Sequence, residues 1–86
     1  MPYQINVAPS VDKIIARLPK ELRARIAEKL AALSVNPRPP GCVKLTNQDV
    51  YRIRVGDYRI IYTIEDDRLI VLVIDVGHRR EVYRRK

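Results

Sequence analysis

Arg52 and Arg54 precede a Gly56-Asp57 pair, Arg59 follows it, and Arg79, Arg80, Tyr83 and Arg84 stand further downstream. The guanidinium group is a planar fork that grips phosphate with two parallel hydrogen bonds and stacks on bases, so this residue set points to a phosphate-rich ligand. Cutting RNA without a metal requires a base for the 2′-hydroxyl, stabilisation of the charge on phosphorus, and a proton for the departing 5′-oxygen. The usual histidine pair is unavailable, because His78 is the single histidine. Tyr83 is the remaining candidate base. Its phenol, ordinarily near a pKa of about 10, would be drawn down by guanidiniums that favour the phenolate. Arg59 and Arg79 are the natural phosphate clamps. Arg52 and Arg54 are the substrate-positioning groups, and Arg80 and Arg84 add RNA contacts. Asp66 and Asp67 fall in a turn remote from the arginines with no second carboxylate cluster, so neither metal nor cofactor is expected.

The composition agrees with a polyanion as partner. Seventeen Lys and Arg against ten Asp and Glu give a net charge of +7, twelve of the cations are Arg, and the sequence pI is about 10.0. Such a balance in a small domain attracts nucleic acid. The 86 residues are the size of one domain, expected over 1–86, and the 47% hydrophobic content is regularly spaced. No apolar run approaches a membrane span and no secretory leader is evident, so the cytoplasm is the expected location. Cys42 is alone, which leaves no partner for an internal disulfide.

The elements that must position these residues can be read from periodicity. Tyr3, Ile5 and Val7 alternate as a short strand ending at Pro9, and Ser10 is a candidate N-cap for a helix over 11–18. Pro19 opens a second helix with the stripe Leu22, Ile26, Leu30 and Leu33, while Lys20, Arg23, Arg25 and Lys29 read as a solvated face. The run from Asn36 to Gly41 holds three prolines and forms a stiff loop. From Val50 the period changes to two. Gly56-Asp57 is a two-residue hairpin signal, and Asp66-Asp67 is read as a second turn. Leu69 to Val76 then reads as a central strand buried on both faces and ended by Gly77. The resulting fold class is α+β: an N-terminal strand, two helices packed on one face of a small mixed or antiparallel sheet, a closing three-stranded meander, and a short tail or helical turn.

A two-residue loop at Gly56-Asp57 places Val55 opposite Tyr58, Arg54 opposite Arg59, Ile53 opposite Ile60 and Arg52 opposite Ile61. Tyr51, Ile53, Val55, Tyr58, Ile60 and Tyr62 then share the side the helices cover, and Arg52, Arg54 and Arg59 share the other. Like charges directly opposed across strands are destabilising, so the arrangement costs stability unless an anion sits there. The same arithmetic through an Asp66-Asp67 turn puts Tyr58 opposite Asp75 and brings the chain out at the hairpin end, with Arg79 and Tyr83 aligned by any helical turn.

Val50-Tyr51-Arg52-Ile53-Arg54-Val55-Gly56-Asp57-Tyr58-Arg59-Ile60-Ile61-Tyr62 and Ile74-Asp75-Val76-Gly77-His78-Arg79-Arg80-Glu81-Val82-Tyr83 resemble the RelE family of toxins from toxin–antitoxin pairs, over nearly the whole chain. The resemblance implies a RelE-like fold and ribosome-dependent cleavage of messenger RNA in the ribosomal A site. In that reaction the 2′-hydroxyl attacks and leaves a 2′,3′-cyclic phosphate. It also implies a cognate RelB-like antitoxin in a hetero-oligomeric complex. By position, Arg59 and Arg79 would stabilise the transition state, Tyr83 would act in proton transfer, and Arg54 would join the catalytic set. Arg52 and Arg54 occupy positions that lysines often hold in the family. The rival is a ParE-like protein, which shares the fold but inhibits DNA gyrase by binding and needs no catalytic tyrosine.

Overall fold

The alternation that begins at Val50 becomes the centre of a five-stranded sheet. The computed structural model describes residues 2–45 and 49–78, with elements in the order β1 (Gln4–Val7), α1 (Pro9–Ala16), α2 (Lys20–Val35), β2 (Val43–Lys44), β3 (Val50–Val55), β4 (Tyr58–Glu65) and β5 (Ile70–His78). The spatial order is β1-β5-β4-β3-β2; β1 runs parallel to β5 and every other neighbouring pair is antiparallel. α1 packs on β5, and α2 packs on β1 and β3. The expected α+β arrangement holds, with β2 as an added edge strand.

The core forms where the helical stripes meet the inner face of the sheet. Val11, Ile26 and Leu33 from the helices lie against Ile53, Val55, Ile60, Tyr62, Val71, Val73 and Val76 from the strands, all buried. Each large apolar side chain removed from water contributes roughly 1.5–3 kcal/mol, which fixes the face each strand presents. The two prolines set the helix boundaries. α1 starts at Pro9 with Ala8 as N-cap and no side-chain cap, so Ser10 lies inside the helix. A proline loses nothing at the first helical position, since its missing N–H would have had no helical partner there. α1 therefore covers 9–16, two residues earlier than expected. Pro19 is itself the N-cap of α2, its carbonyl accepting the Arg23 N–H at 2.9 Å.

The proline-rich loop after α2 is stapled to the sheet end remote from the Gly56-Asp57 hairpin. Tyr62 donates from its buried hydroxyl to the Pro37 carbonyl at 2.8 Å. Arg38 donates to both Asp66 carboxylate oxygens, at 3.0 and 2.9 Å, and through Nε to the Tyr51 hydroxyl at 3.2 Å. The Tyr3 hydroxyl donates to Asp66 Oδ1 at 2.7 Å. Asp66 is thus a structural acceptor that joins the β4–β5 turn to the loop and to the residue ahead of β1. The hydrogen bonds from Arg38, and then that from Tyr3, hold its carboxyl down at about 2.

Three expectations for β5 are corrected. The β4–β5 connection spans four residues, since Glu65 pairs with Ile70, and Leu69 adopts φ 55° within it. A bulge between Ile61 and Tyr62 then makes Tyr62 pair with Val73 but Ile61 with Asp75, so Tyr58 stands opposite His78 and not Asp75. Gly77 does not end the strand, because Arg59 pairs with it and the ladder continues to His78. Nor is β5 buried on both faces. Val71, Val73 and Val76 are buried toward the helices, whereas on the other side Leu72 is half-buried and Ile74 is 40% exposed.

The Asp66 staple predicts a specific acid dependence. A carboxylate whose folded pKa is depressed contributes stability above its unfolded value and loses it as pH falls through the folded value. The difference in Tm between the wild-type chain and Asp66→Asn should shrink as pH drops from about 4 toward about 2. A constant difference across that window would show that the ion pair does not carry the effect.

Candidate functional site: an arginine face at the hairpin end

The hairpin register is the one the two-residue turn dictates: Val55 opposes Tyr58, Arg54 opposes Arg59, Ile53 opposes Ile60 and Arg52 opposes Ile61. Gly56 has φ +59°, and among the described non-glycine residues only Leu69 has positive φ. A positive first central residue followed by a negative one is the sign pattern of a type II′ turn, whose twist matches that of paired strands. Glycine is required at that first position.

Arg52, Arg54 and Arg59 therefore stand together on the sheet face turned away from the helices. They differ in exposure. Arg54 is exposed, Arg52 is half-buried, and Arg59 is 8% exposed with its Nε shielded from solvent. A buried guanidinium has lost its rotamer freedom during folding, so Arg59 presents charge at a fixed place without ordering cost when an anion arrives. Gly77 opposes Arg59 on β5 and presents no side chain there.

Two features of this face go beyond what the sequence predicted. The bulge puts Asp75 on the arginine side, opposite Ile61 and diagonal to Arg59, a spacing of about 7–8 Å across neighbouring strands. Its Oδ1 also accepts the Val76 N–H at 2.9 Å, which fixes the carboxylate. A charged residue in the apolar run from Leu69 to Val76 was the available signal. The second is Arg25 of α2, whose guanidinium comes within 3.4 Å of the place a Gly56 Cβ would occupy. Nothing in the helical periodicity distinguished it from its charged neighbours.

His78 is the last residue of β5 and not part of a turn. It opposes Tyr58 on the helix side, with ring centroids 5.8 Å apart and planes at 82°. It is thereby directed away from the arginine face. His78 lies at the hairpin end of the sheet, opposite Tyr58. Arg79, Arg80, Tyr83 and Arg84 lie outside the described residues. Among the described residues no group of three or more His, Cys, Asp or Glu could hold a metal ion, and no helix is long and apolar enough to cross a membrane.

Comparison with known proteins defines the class. The family described as ParE toxin of type II toxin–antitoxin system, parDE, matches residues 5–83. Toxin RelG of Mycobacterium tuberculosis is 29% identical over 87 residues, covering 99% of this chain and all of the relative. Toxin RelE of the same organism is 30% identical over 86 residues, covering 96% of this chain and 88% of the relative. Among solved structures, the archaeal RelE-RelB complex from Pyrococcus horikoshii OT3 superposes with a TM-score of 0.85 at 29% identity, covering 92% of this chain and 97% of that one. The fold is that of a small type II toxin. The chain belongs to the RelE/ParE family of toxins of type II toxin–antitoxin systems.

The turn geometry yields a direct test. Gly56→Ala places an L-residue in left-handed backbone, a strain of about 1–2 kcal/mol, and should lower unfolding free energy by that order. Urea denaturation checks it. An unchanged midpoint would mean the tip accommodates a side chain and does not enforce the register through glycine.

Proposed function

We propose that this toxin is a ribosome-dependent, metal-independent endoribonuclease that cleaves messenger RNA in the ribosomal A site. It acts in the cytoplasm as one domain over residues 1–86, and a RelB-like antitoxin restrains it in a hetero-oligomeric complex. The observation that carries this reading is the opposition of Arg54 and Arg59 on the sheet face turned away from the helices, at the end from which the chain leads on to Arg79 and Tyr83. Two like charges held face to face favour occupation by an anion. The 30% identity to a relative named Toxin RelE supports the same direction.

In the proposed reaction Tyr83, its phenolate favoured by the guanidiniums, takes the proton of the 2′-hydroxyl, whose oxygen attacks the adjacent phosphorus. The bond to the 5′-oxygen breaks and a 2′,3′-cyclic phosphate remains. Arg59 and Arg79 stabilise the charge that develops on the phosphoryl oxygens, and Arg59 does so from a preorganised position. Arginine holds its proton tightly, so Arg54 contributes charge, and water delivers the proton to the leaving oxygen. Arg52, Arg80 and Arg84 hold the flanking backbone.

Tyr83→Phe should leave ribosome binding intact and slow cleavage by roughly two to four orders of magnitude, the usual worth of a positioned base. Arg59→Ala should slow the same step, whereas Arg52→Ala should mainly raise KM. Primer extension on a defined messenger RNA with translating ribosomes measures both. Codon-positioned cuts by the wild-type chain that persist in Tyr83→Phe at near-normal rate would remove the tyrosine from the mechanism. The match to a family described as ParE toxin favours a second reading, gyrase inhibition by binding. Absence of cuts together with inhibited DNA supercoiling would establish that reading instead.

A further inference from the structure

The hairpin tip separates two clefts that share Arg54 and Gly56. The smaller lies on the arginine-face side and is lined by Arg54, Gly56, Asp57 and Arg59. The larger, of about 230 Å³, lies between α2 and the end of β3 and is lined by Arg25, Glu28, Lys29, Ala32, Arg54, Val55 and Gly56. Three cations face one carboxylate in it. No ion pair among the described residues engages Arg25, Lys29 or Arg54. Lys29 is half-buried whereas Arg25, Glu28 and Ala32, which line the same cleft, are exposed, so part of its stem is covered. Arg25 reaches across to the Gly56 tip, its Nη1 3.4 Å from the place a Cβ would take. The absence of a side chain at Gly56 leaves the saddle between the clefts low. Apart from Asp57 at the tip and Glu28 on the helix wall, cations line the path from Arg59, through Arg54, to Arg25 and Lys29.

We infer that the cleft between α2 and the hairpin tip is an RNA backbone site, in which Arg25 and Lys29 bind sugar-phosphate of a strand that crosses the tip from the arginine face. The inference rests on the RNA-directed reading above and extends it to residues on the helix layer. Arg25 and Lys29 are positioning residues, remote from the reacting atoms. Their contacts carry no base information, and they act through charge on a single-stranded segment. Glu28, the one carboxylate lining the same cleft, repels a phosphate placed beside it.

The test is the salt dependence of binding, measured with the full chain and two probes: a short single-stranded RNA oligonucleotide, and the small ribosomal subunit. Each single-strand phosphate that the protein no longer neutralises reduces the slope of log affinity against log salt by about 0.7. Arg25→Ala combined with Lys29→Ala should flatten the slope by roughly 1.4, irrespective of RNA sequence. Arg25→Lys, which keeps the charge, should hold the slope. Arg23→Ala, an exposed α2 arginine outside the cleft, is the control for general charge loss and should leave the slope nearly unchanged. An effect on the oligonucleotide assigns the cleft to the messenger strand, and an effect confined to the subunit assigns it to ribosomal RNA; either upholds the site. The inference is overturned if the wild-type chain binds neither probe, or if the double variant behaves as Arg23→Ala does. Cleavage is scored separately, so a chain that binds RNA through this cleft without cutting it retains the site and loses the nuclease reading.

Discussion

The opposition of Arg54 and Arg59 across β3 and β4 is the constraint on which the remainder of the site depends. It follows from a loop of two residues: once Val55 faces Tyr58, the pleat sends Ile53, Val55, Tyr58 and Ile60 to the helices and the arginines to the other side. A slip of one residue would exchange the faces and place guanidiniums in the core, a cost of many kcal/mol for unpaired buried charge. The buried apolar set therefore enforces a charge arrangement that is unfavourable by itself. The opposition is retained because the core fixes the register, and an anion bound between the two guanidiniums would relieve their repulsion.

The two ends of the sheet serve different purposes. At the Asp66 end, Arg38, Tyr3, Tyr51 and Tyr62 tie the proline-rich loop to β3, β4 and the β4–β5 turn, and the one strongly depressed carboxylate among the described residues lies there. At the Gly56 end, charges line two clefts, and no ion pair among the described residues engages Arg54 or Arg25. Arg38 is chemically the same residue as Arg54, yet its carboxylate partner engages its fork, so its charge is spent internally. The location of acidic partners, more than the number of arginines, decides which cations can meet an external anion.

Legibility in the sequence followed the strength of local turn chemistry. Gly56-Asp57 admits one tight hairpin, so the pairing of β3 with β4 is legible from sequence, and with it the face of Arg52, Arg54 and Arg59. Asp66-Asp67 looked like an equivalent signal and was not. The turn extends to Leu69, a branched residue with positive φ that no propensity rule favours there, and the bulge beside Ile61 adds one further residue. Each alteration is small, but together they move the partner of Tyr58 by three positions and bring Asp75 onto the arginine face. Pro9 as the first helical residue was obscured by Ser10, a better cap by type than Ala8 but two residues too late. Arg25 was hidden for another reason. Its approach to Gly56 is a contact between layers, and periodicity within one helix holds no information about what faces it.

The central claim is that Arg54 and Arg59 form one anion site maintained against folding stability, and a double-mutant cycle on the pair tests it most directly. Unfolding free energies of wild type, Arg54→Ala, Arg59→Ala and the double variant are measured at low salt, without ligand and with saturating single-stranded RNA. The expected coupling disfavours the folded free chain by about 0.2–1 kcal/mol and reverses sign when RNA is bound. A coupling near zero in both states, or of the same sign in both, would contradict the claim.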